Sequence, residues 1–376
     1  MQRKILYIID CGLLDGGAPR STGILADEMA KNNDVYMLMP YTGEEGNPYI
    51  HYIQLPHFHN RFPFLFKQPL SALRLVYDIY KVIRNINPNI IHAEMPRGAR
   101  AVGLLKKMGL IKVPIVFTER EYVTGLRSVY KWLYRFLIIP TYDLIVCLSN
   151  KSRPFWEKYR KYPVVTIPNP GGKEFDVYRE DEYNEAISCL TGYQSDRLNV
   201  LFVGRYLNTK RWELAESIIY NYCNKYPNGR VHFYVAVAYD LNDEKALSMV
   251  NRLSELSKVT LFSNVDVNMM SNLYYACDLH LITSKIESFG RTAIEAMSRK
   301  CAVYSTDAGA ISETIGDKEL ILPAEAEAFI EIISKFEKDK DLLETKKEAM
   351  YHRYQSLYTT EANYMANKNE YDKLLS

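Results

Sequence analysis

The stretch "LNVLFVGRYLNTKRWELAESI", residues 198–218, decides the architecture. It opens with a short, nearly unbroken apolar run, the mark of a strand buried on both faces, and Gly204 ends that run as the punctuation of a turn. From Trp212 the apolar residues recur at helical spacing, so the stretch is one βα unit. The unit repeats on either side. Upstream, "ILYIID", "DVYMLMP", "NIIHAE", "PIVFTE", "DLIVCLS" and "PVVTIPNP" read as strands between amphipathic stretches; downstream, "VHFYVAVAY", "KVTLFS", "DLHLIT", "CAVYST" and "LILP" do the same. Strands alternating with helices build parallel sheets covered on both faces. The series breaks at 169–197, a polar, acidic, glycine-punctuated stretch that reads as a linker and a short helix. The expected fold is therefore α/β, with two Rossmann-like, doubly wound parallel-sheet domains, 1–170 and 171–354.

Composition agrees with two ordinary domains. The chain has 376 residues, of which 47% are hydrophobic and 24% charged, the balance of a globular protein. A formal charge of +2 supplies no whole-molecule field for nucleic acid, and none is expected as a partner. Six cysteines, none in a CxxC pair, point to reduced thiols rather than a disulfide scaffold. The amino-terminal apolar run ends at Asp10 and reads as a strand rather than a signal peptide. Nowhere do about 18 uninterrupted apolar residues occur, so no span of a bilayer is expected.

Three junctions carry chemistry. In "DGGAPRSTG", Gly16 and Gly17 stand between a strand and a helix, where they serve either tight turning or close approach of backbone N–H groups to an anion. The spacing is not the GxGxxG of a dinucleotide site. At the end of the opening strand, Gly204 is followed by Arg205, with Lys210 five residues further on; a planar fork and a mobile point charge suit a diphosphate, or are two surface cations near a helix start. In "KIESFGRTAIEAMSRK", residues 285–300, Glu287, Ser288, Phe289 and Gly290 form a loop and Glu295 sits on the second turn of the helix that follows. Two carboxylates and the loop N–H groups could face sugar hydroxyls and phosphate, or be a cap and a surface acid.

Taken together, "ESFGRTAIEA", "GRYLNTK", "GGAPR", "DLIVCLS" and "TIPNPG" resemble the retaining GT-B glycosyltransferases of family 4, in order as well as content. The resemblance implies that Arg205 and Lys210 bind the donor diphosphate, Glu295 the nucleotide ribose and Glu287 the donor sugar at the reaction centre. It further implies backbone contacts from Phe289 and Gly290, with Ser288 beside them, and Gly16 and Gly17 of the opposing domain near the phosphates across a cleft. The donor would be a UDP- or GDP-sugar and the acceptor a hydroxyl of a lipid-linked glycan, in surface polysaccharide assembly. No cofactor and no metal are implied. The family's histidine after the fourth strand is Arg120 here, flanked by Glu119 and Glu121, so Arg120 and Glu119 are assigned to the acceptor and sugar side. The usual Gly-Gly near "DAGAISE" is Gly309-Ala310. The aromatic carboxyl-terminal segment, 355–376, resembles the helix that crosses back onto the first domain. A sugar-nucleotide epimerase and a non-catalytic binding partner are the alternative readings.

Metal motifs are weak. The Asp339–Asp341 pair lies in an exposed charged helix pattern, and His57 and His59 lack further ligands. Residues 57–84 and 125–140 interleave Arg and Lys with Phe, Tyr and Trp, which fits either a helix packed on its own sheet or peripheral contact with an anionic membrane. The expected location is cytoplasmic, with the inner face of the membrane as the site of any such contact.

Overall fold

A computed structural model describes residues 2–13, 16–40, 46–58, 61–63, 68–120, 127–158, 162–190 and 193–376. Glu121, His59 and parts of the two aromatic-basic stretches lie outside them. The chain divides into two compact units, Met1–Gly172 with Thr360–Ser376, and Lys173–Thr359.

In the first unit, β1 (Lys4–Ile8), α1 (Gly17–Ala30), β2 (Asp34–Pro40), β3 (Ile50–Leu55), α2 (Pro69–Ile86), β4 (Ile90–Ala93), α3 (Pro96–Lys107), β5 (Ile115–Thr118), α4 (Ser128–Leu133, continued by a π turn to Ile138), β6 (Leu144–Cys147), α5 (Arg153–Glu157) and β7 (Val164–Thr166) succeed one another. The second unit holds α6 (Glu180–Cys189), β8 (Leu198–Arg205), α7 (Trp212–Lys225), β9 (Val231–Ala238), α8 (Glu244–Ser254), β10 (Val259–Ser263), α9 (Val267–Ala276), β11 (Leu279–Ile282), α10 (Arg291–Ser298), β12 (Ala302–Thr306), α11 (Ile311–Ile315), β13 (Ile321–Leu322), α12 (Ala326–Lys338) and α13 (Lys340–Leu357). The last helix, α14 (Thr360–Leu375), belongs to the first unit.

Both sheets are parallel throughout. Their orders are β3-β2-β1-β4-β5-β6-β7 and β10-β9-β8-β11-β12-β13. Each reverses direction once, between β1 and β4 and between β8 and β11. At such a reversal the two flanking loops diverge and leave a crevice outside the strands' carboxyl ends, where ligands of this class of sheet bind.

Alternation along β1 shows how the first sheet is held. Leu6 and Ile8 enter a core against α2, α3 and α4, whereas Ile5, Tyr7 and Ile9 enter the opposite core against α1 and α14. Each fully buried aliphatic side chain of this kind contributes about 1.5–3 kcal/mol. One strand escaped the pattern: β3, "IHYIQL", is an edge strand buried mainly at Ile50. Polar residues on its open side break the apolar run that marks the others.

Candidate active site

The crevice of the second sheet gathers the charged residues. Arg205 is the last residue of β8 and is exposed. Its carbonyl accepts a hydrogen bond from the Trp212 indole at 2.9 Å, which folds the intervening turn back on the strand. Arg211 takes a left-handed conformation (φ 52°) before α7. That turn is stitched to the loop after β11: the Lys285 N–H donates to the Thr209 carbonyl at 2.7 Å and the Thr283 hydroxyl to the Lys210 carbonyl at 2.9 Å. The Lys210 ammonium then reaches Glu287 Oε1 at 2.6 Å. Ser284 donates to the same oxygen, also at 2.6 Å. An ammonium and a carboxylate separated by 77 residues in sequence are thereby fixed at one strand end. Gly204 adds little steric constraint, since a Cβ there would meet the Lys210 stem at 3.5 Å, ordinary contact.

The backbone of Glu287 is clamped as well. Its carbonyl accepts from Ala310 N–H at 3.0 Å, and a Cβ on Gly309 (φ 62°) would come within 2.5 Å of that carbonyl oxygen. Only glycine fits there. Gly290 (φ 91°) precedes α10, whose first turn has neither a side-chain cap nor an acid; its N-terminus therefore retains its positive field for an anion. Phe289 is buried against Tyr358 and its carbonyl accepts from the Thr314 hydroxyl, leaving Ser288 half-buried between Glu287 and the buried turn. Glu295 is held by Arg291 Nε at 2.8 Å and by the Tyr274 hydroxyl at 3.1 Å.

The crevice of the first sheet is organised differently. Gly16 (φ 149°, ψ −175°) precedes α1 in a conformation open to glycine alone, and neither a side-chain cap nor a first-turn acid is present there. The neighbouring helix, α3, is already neutralised: Asp10 accepts from the N–H groups of Arg97 and Gly98, both at 2.7 Å. Burial raises the Asp10 pKa to about 6, against the opposing pull of those two N–H groups and the nearby Arg97 and Arg100.

Arg120 and Glu119 are both turned into the protein. Arg120 Nε donates to Glu94 Oε2 at 2.9 Å, Nη2 donates to the same oxygen, and Nη1 donates to Asn169 Oδ1. Glu119 accepts from the Trp156 indole at 3.0 Å. Beside Glu94, His92 lies 2.7 Å from the Thr118 hydroxyl and is hydrogen-bonded to Tyr371 of α14, whose hydroxyl is 3.1 Å from that of Tyr7. Burial lowers the His92 pKa to about 4, so the ring is neutral near pH 7.

Sequence reading missed Ser284, Tyr274, Arg291 and Glu94. Arg291 and Glu295 at i and i+4, and Ser284 three residues before Glu287, were visible signals; Tyr274 and Glu94 meet their partners only through the fold. Asp339 caps α13 by accepting from Leu342 N–H at 2.9 Å, and His57 lies 2.9 Å from Asp78.

Two parallel sheets with charged crevices at their switch points define the GT-B class of fold. The same architecture appears in sucrose-phosphate synthase from Thermosynechococcus elongatus (TM-score 0.80, 17% identity, 99% of each chain). It appears again in Anabaena Alr3699/HepE in complex with UDP and glucose (TM-score 0.76, 14% identity, 99% of this chain and 100% of that one). At these identities the likeness is one of fold. Residues 15–170 match the family described as Glycosyltransferase Family 4, and residues 191–353 match Glycosyl transferases group 1. An uncharacterized glycosyltransferase of Methanocaldococcus jannaschii, MJ1178, is 24% identical over 325 residues, 83% of this chain and 84% of its own. The chain belongs to the group 1, family 4 glycosyltransferases.

Proposed function

We propose that this glycosyltransferase moves a sugar, with retention of anomeric configuration and without a metal, from a nucleotide diphosphate sugar to a hydroxyl of a glycan. The observation that carries the reading is the Lys210–Glu287 pair, 2.6 Å apart, beside Arg205 and the uncapped N-terminus of α10. Arg205 and Lys210 stabilise the charge that grows on the leaving diphosphate, the role that a divalent ion plays elsewhere. Glu287, fixed by Lys210, Ser284 and Ala310, orients the donor sugar, and Glu295 takes the ribose hydroxyls. With Glu287 so engaged, the acceptor proton goes to a leaving phosphate oxygen on the same face, and the configuration is kept. In the first unit, the uncapped N-terminus of α1 at Gly16 and Gly17 offers backbone donors to an anion, and the acceptor is assigned to that unit.

The acceptor is lipid-linked in this reading, in surface polysaccharide assembly at the cytoplasmic face of a membrane. Its support is on α2, where Leu70, Leu73 and Tyr77 are exposed among Arg74 and Lys81, and on α4 with its π turn, where Trp132 and Phe136 are exposed beside Lys131 and Arg135. No helix among the described residues is long and apolar enough to cross a membrane.

Thermal unfolding with UDP, GDP, ADP, dTDP and CMP in EDTA tests the donor site. A nucleoside diphosphate at about 100 times its Kd adds ~2.7 kcal/mol, and that gain should vanish in Arg205→Ala. Stabilisation only when a divalent ion is restored would sink the metal-free grip, and a product of inverted anomeric configuration would sink retention.

A further inference from the structure

The second unit carries another groove, at the opposite end of its sheet. The transfer site uses the carboxyl ends of β8 and β11; the groove lies at their amino ends, one strand length away, ~23 Å for eight residues. It has two contiguous lobes of about 310 and 470 Å³ that share Arg230 and Glu337. Each lobe falls within the ~300–1,000 Å³ of small-molecule sites, and their continuity suits an extended ligand better than a compact one.

Its polar groups are unevenly committed. The carboxylates are engaged: Asp278 accepts from Asn199 N–H at 2.9 Å and lies 3.3 Å from Lys347, Glu344 takes the same ammonium at 2.8 Å, and Glu337 accepts from the Tyr222 hydroxyl and the Arg230 N–H. Of the cations, Lys347 and Lys225 are paired, the latter with Glu327; among the described residues, half-buried Arg197 and exposed Arg230 and Lys340 have no carboxylate within ion-pair distance. Asn199, 2% exposed, lines the first lobe with its Oδ1 unbonded, and the buried Ser334 hydroxyl lines the second, also unbonded. Tyr193 and Phe336 line the first lobe and Tyr226 the second.

We propose that this groove binds an acidic oligosaccharide, a segment of glycan whose sugars carry carboxylate or phosphate. Aromatic faces take the apolar face of a pyranose. Arg197 and Arg230 take the acid in the bidentate manner that guanidinium favours. A neutral sugar would leave the surplus cations unanswered. The site holds glycan at a distance from the transfer centre, and its occupancy is independent of the donor.

Calorimetric titration of the full chain with tetragalacturonate, maltotetraose and inorganic phosphate, all without donor, tests this. Tetragalacturonate should bind, at least 10-fold more weakly to Arg197→Ala/Arg230→Ala and also more weakly to Tyr193→Leu. Nucleoside diphosphate binding should be unchanged in both variants, which shows that they fold. Equal affinity for maltotetraose would overturn the acidic preference. Phosphate binding as tightly as the tetramer would reduce the groove to an adventitious ion only. No binding of the tetramer, or binding indifferent to both variants, would overturn the site.

Discussion

After β5 and β4 of the first sheet, the side chains of Arg120 and Glu94 are 5% and 0% exposed; at the switch point of the second, Lys210 and Glu287 are 24% and 12% exposed. The geometries are alike, a cation on one strand end and a carboxylate on another, but the surroundings differ. Arg120 and Glu94 sit in a network that continues through His92 and Tyr371 to the last helix, and removing either partner would leave the other buried without its ion pair. Lys210 and Glu287 are reached by solvent and are held at the mouth of a crevice beside an unneutralised helix end. The first pair is built into the architecture, the second is presented to a ligand.

This contrast breaks if stability and activity respond alike at the two sites. The largest effect on folding is expected from Glu94→Ala, which strands a buried guanidinium and should lower stability by about 3–5 kcal/mol in urea unfolding; a loss below 1 kcal/mol would mean that water enters the site and the pair is not structural. Next, Lys210→Ala should lower kcat/KM by about 10²–10³, equivalent to ~2.7–4 kcal/mol, while the unfolding free energy changes by no more than ~1 kcal/mol, as for other partly exposed pairs. A comparable fall in stability would erase the distinction.

Acid should separate the units further. His92 in the first unit and His232 and His280 in the second all have pKa values lowered to about 4, with burial the main cause. Their neutral forms favour the folded state, so this stability is complete above about pH 6.5 and is lost as pH falls toward 4, at ~1.4 kcal/mol per pH unit for each ring. Asp10 works against that loss in the first unit. Its raised pKa means that protonation favours folding, so it gains stability as pH falls through 6. The second unit should therefore unfold first, visible as a change at Trp212 before one at Trp156 in single-tryptophan variants; the reverse order would show that these groups do not govern acid unfolding. The smallest effect is Tyr371→Phe, which removes the hydroxyl shared by His92 and Tyr7 and should cost about 0.5–1.5 kcal/mol by thermal unfolding. No change at all would detach α14 from the network.

Much of this was legible from the sequence because parallel strands buried on both faces are written as apolar runs, and glycines mark their ends. Edge strand β3 was lost for the converse reason: half of "IHYIQL" faces outward, and its polar residues look like loop. Arg205, Lys210, Glu287 and Glu295 stood out through motif resemblance. What the sequence could not convey was the partnership of Lys210 with Glu287, or of Arg120 with Glu94, since residues far apart in the chain meet only after the sheet order is set. Gly309 showed a related limit: it is visible as a glycine, but the carbonyl that forbids a side chain there belongs to Glu287, more than 20 residues earlier.

The return of α14 to the first unit also bears on how the protein is made. About 200 residues of the chain separate Gly172 from Tyr371, and at ~5–20 residues per second a ribosome needs roughly 10–40 s to synthesise them. Throughout that interval His92 and Tyr7 lack their partner and the α1 side of the first sheet lacks its covering helix. The second unit, contiguous in sequence, is completed at Thr359 while the first still waits. Birth order and folding order are thus inverted, and the nascent first unit, with an uncovered apolar surface, is the stage at which a chaperone would have most to hold.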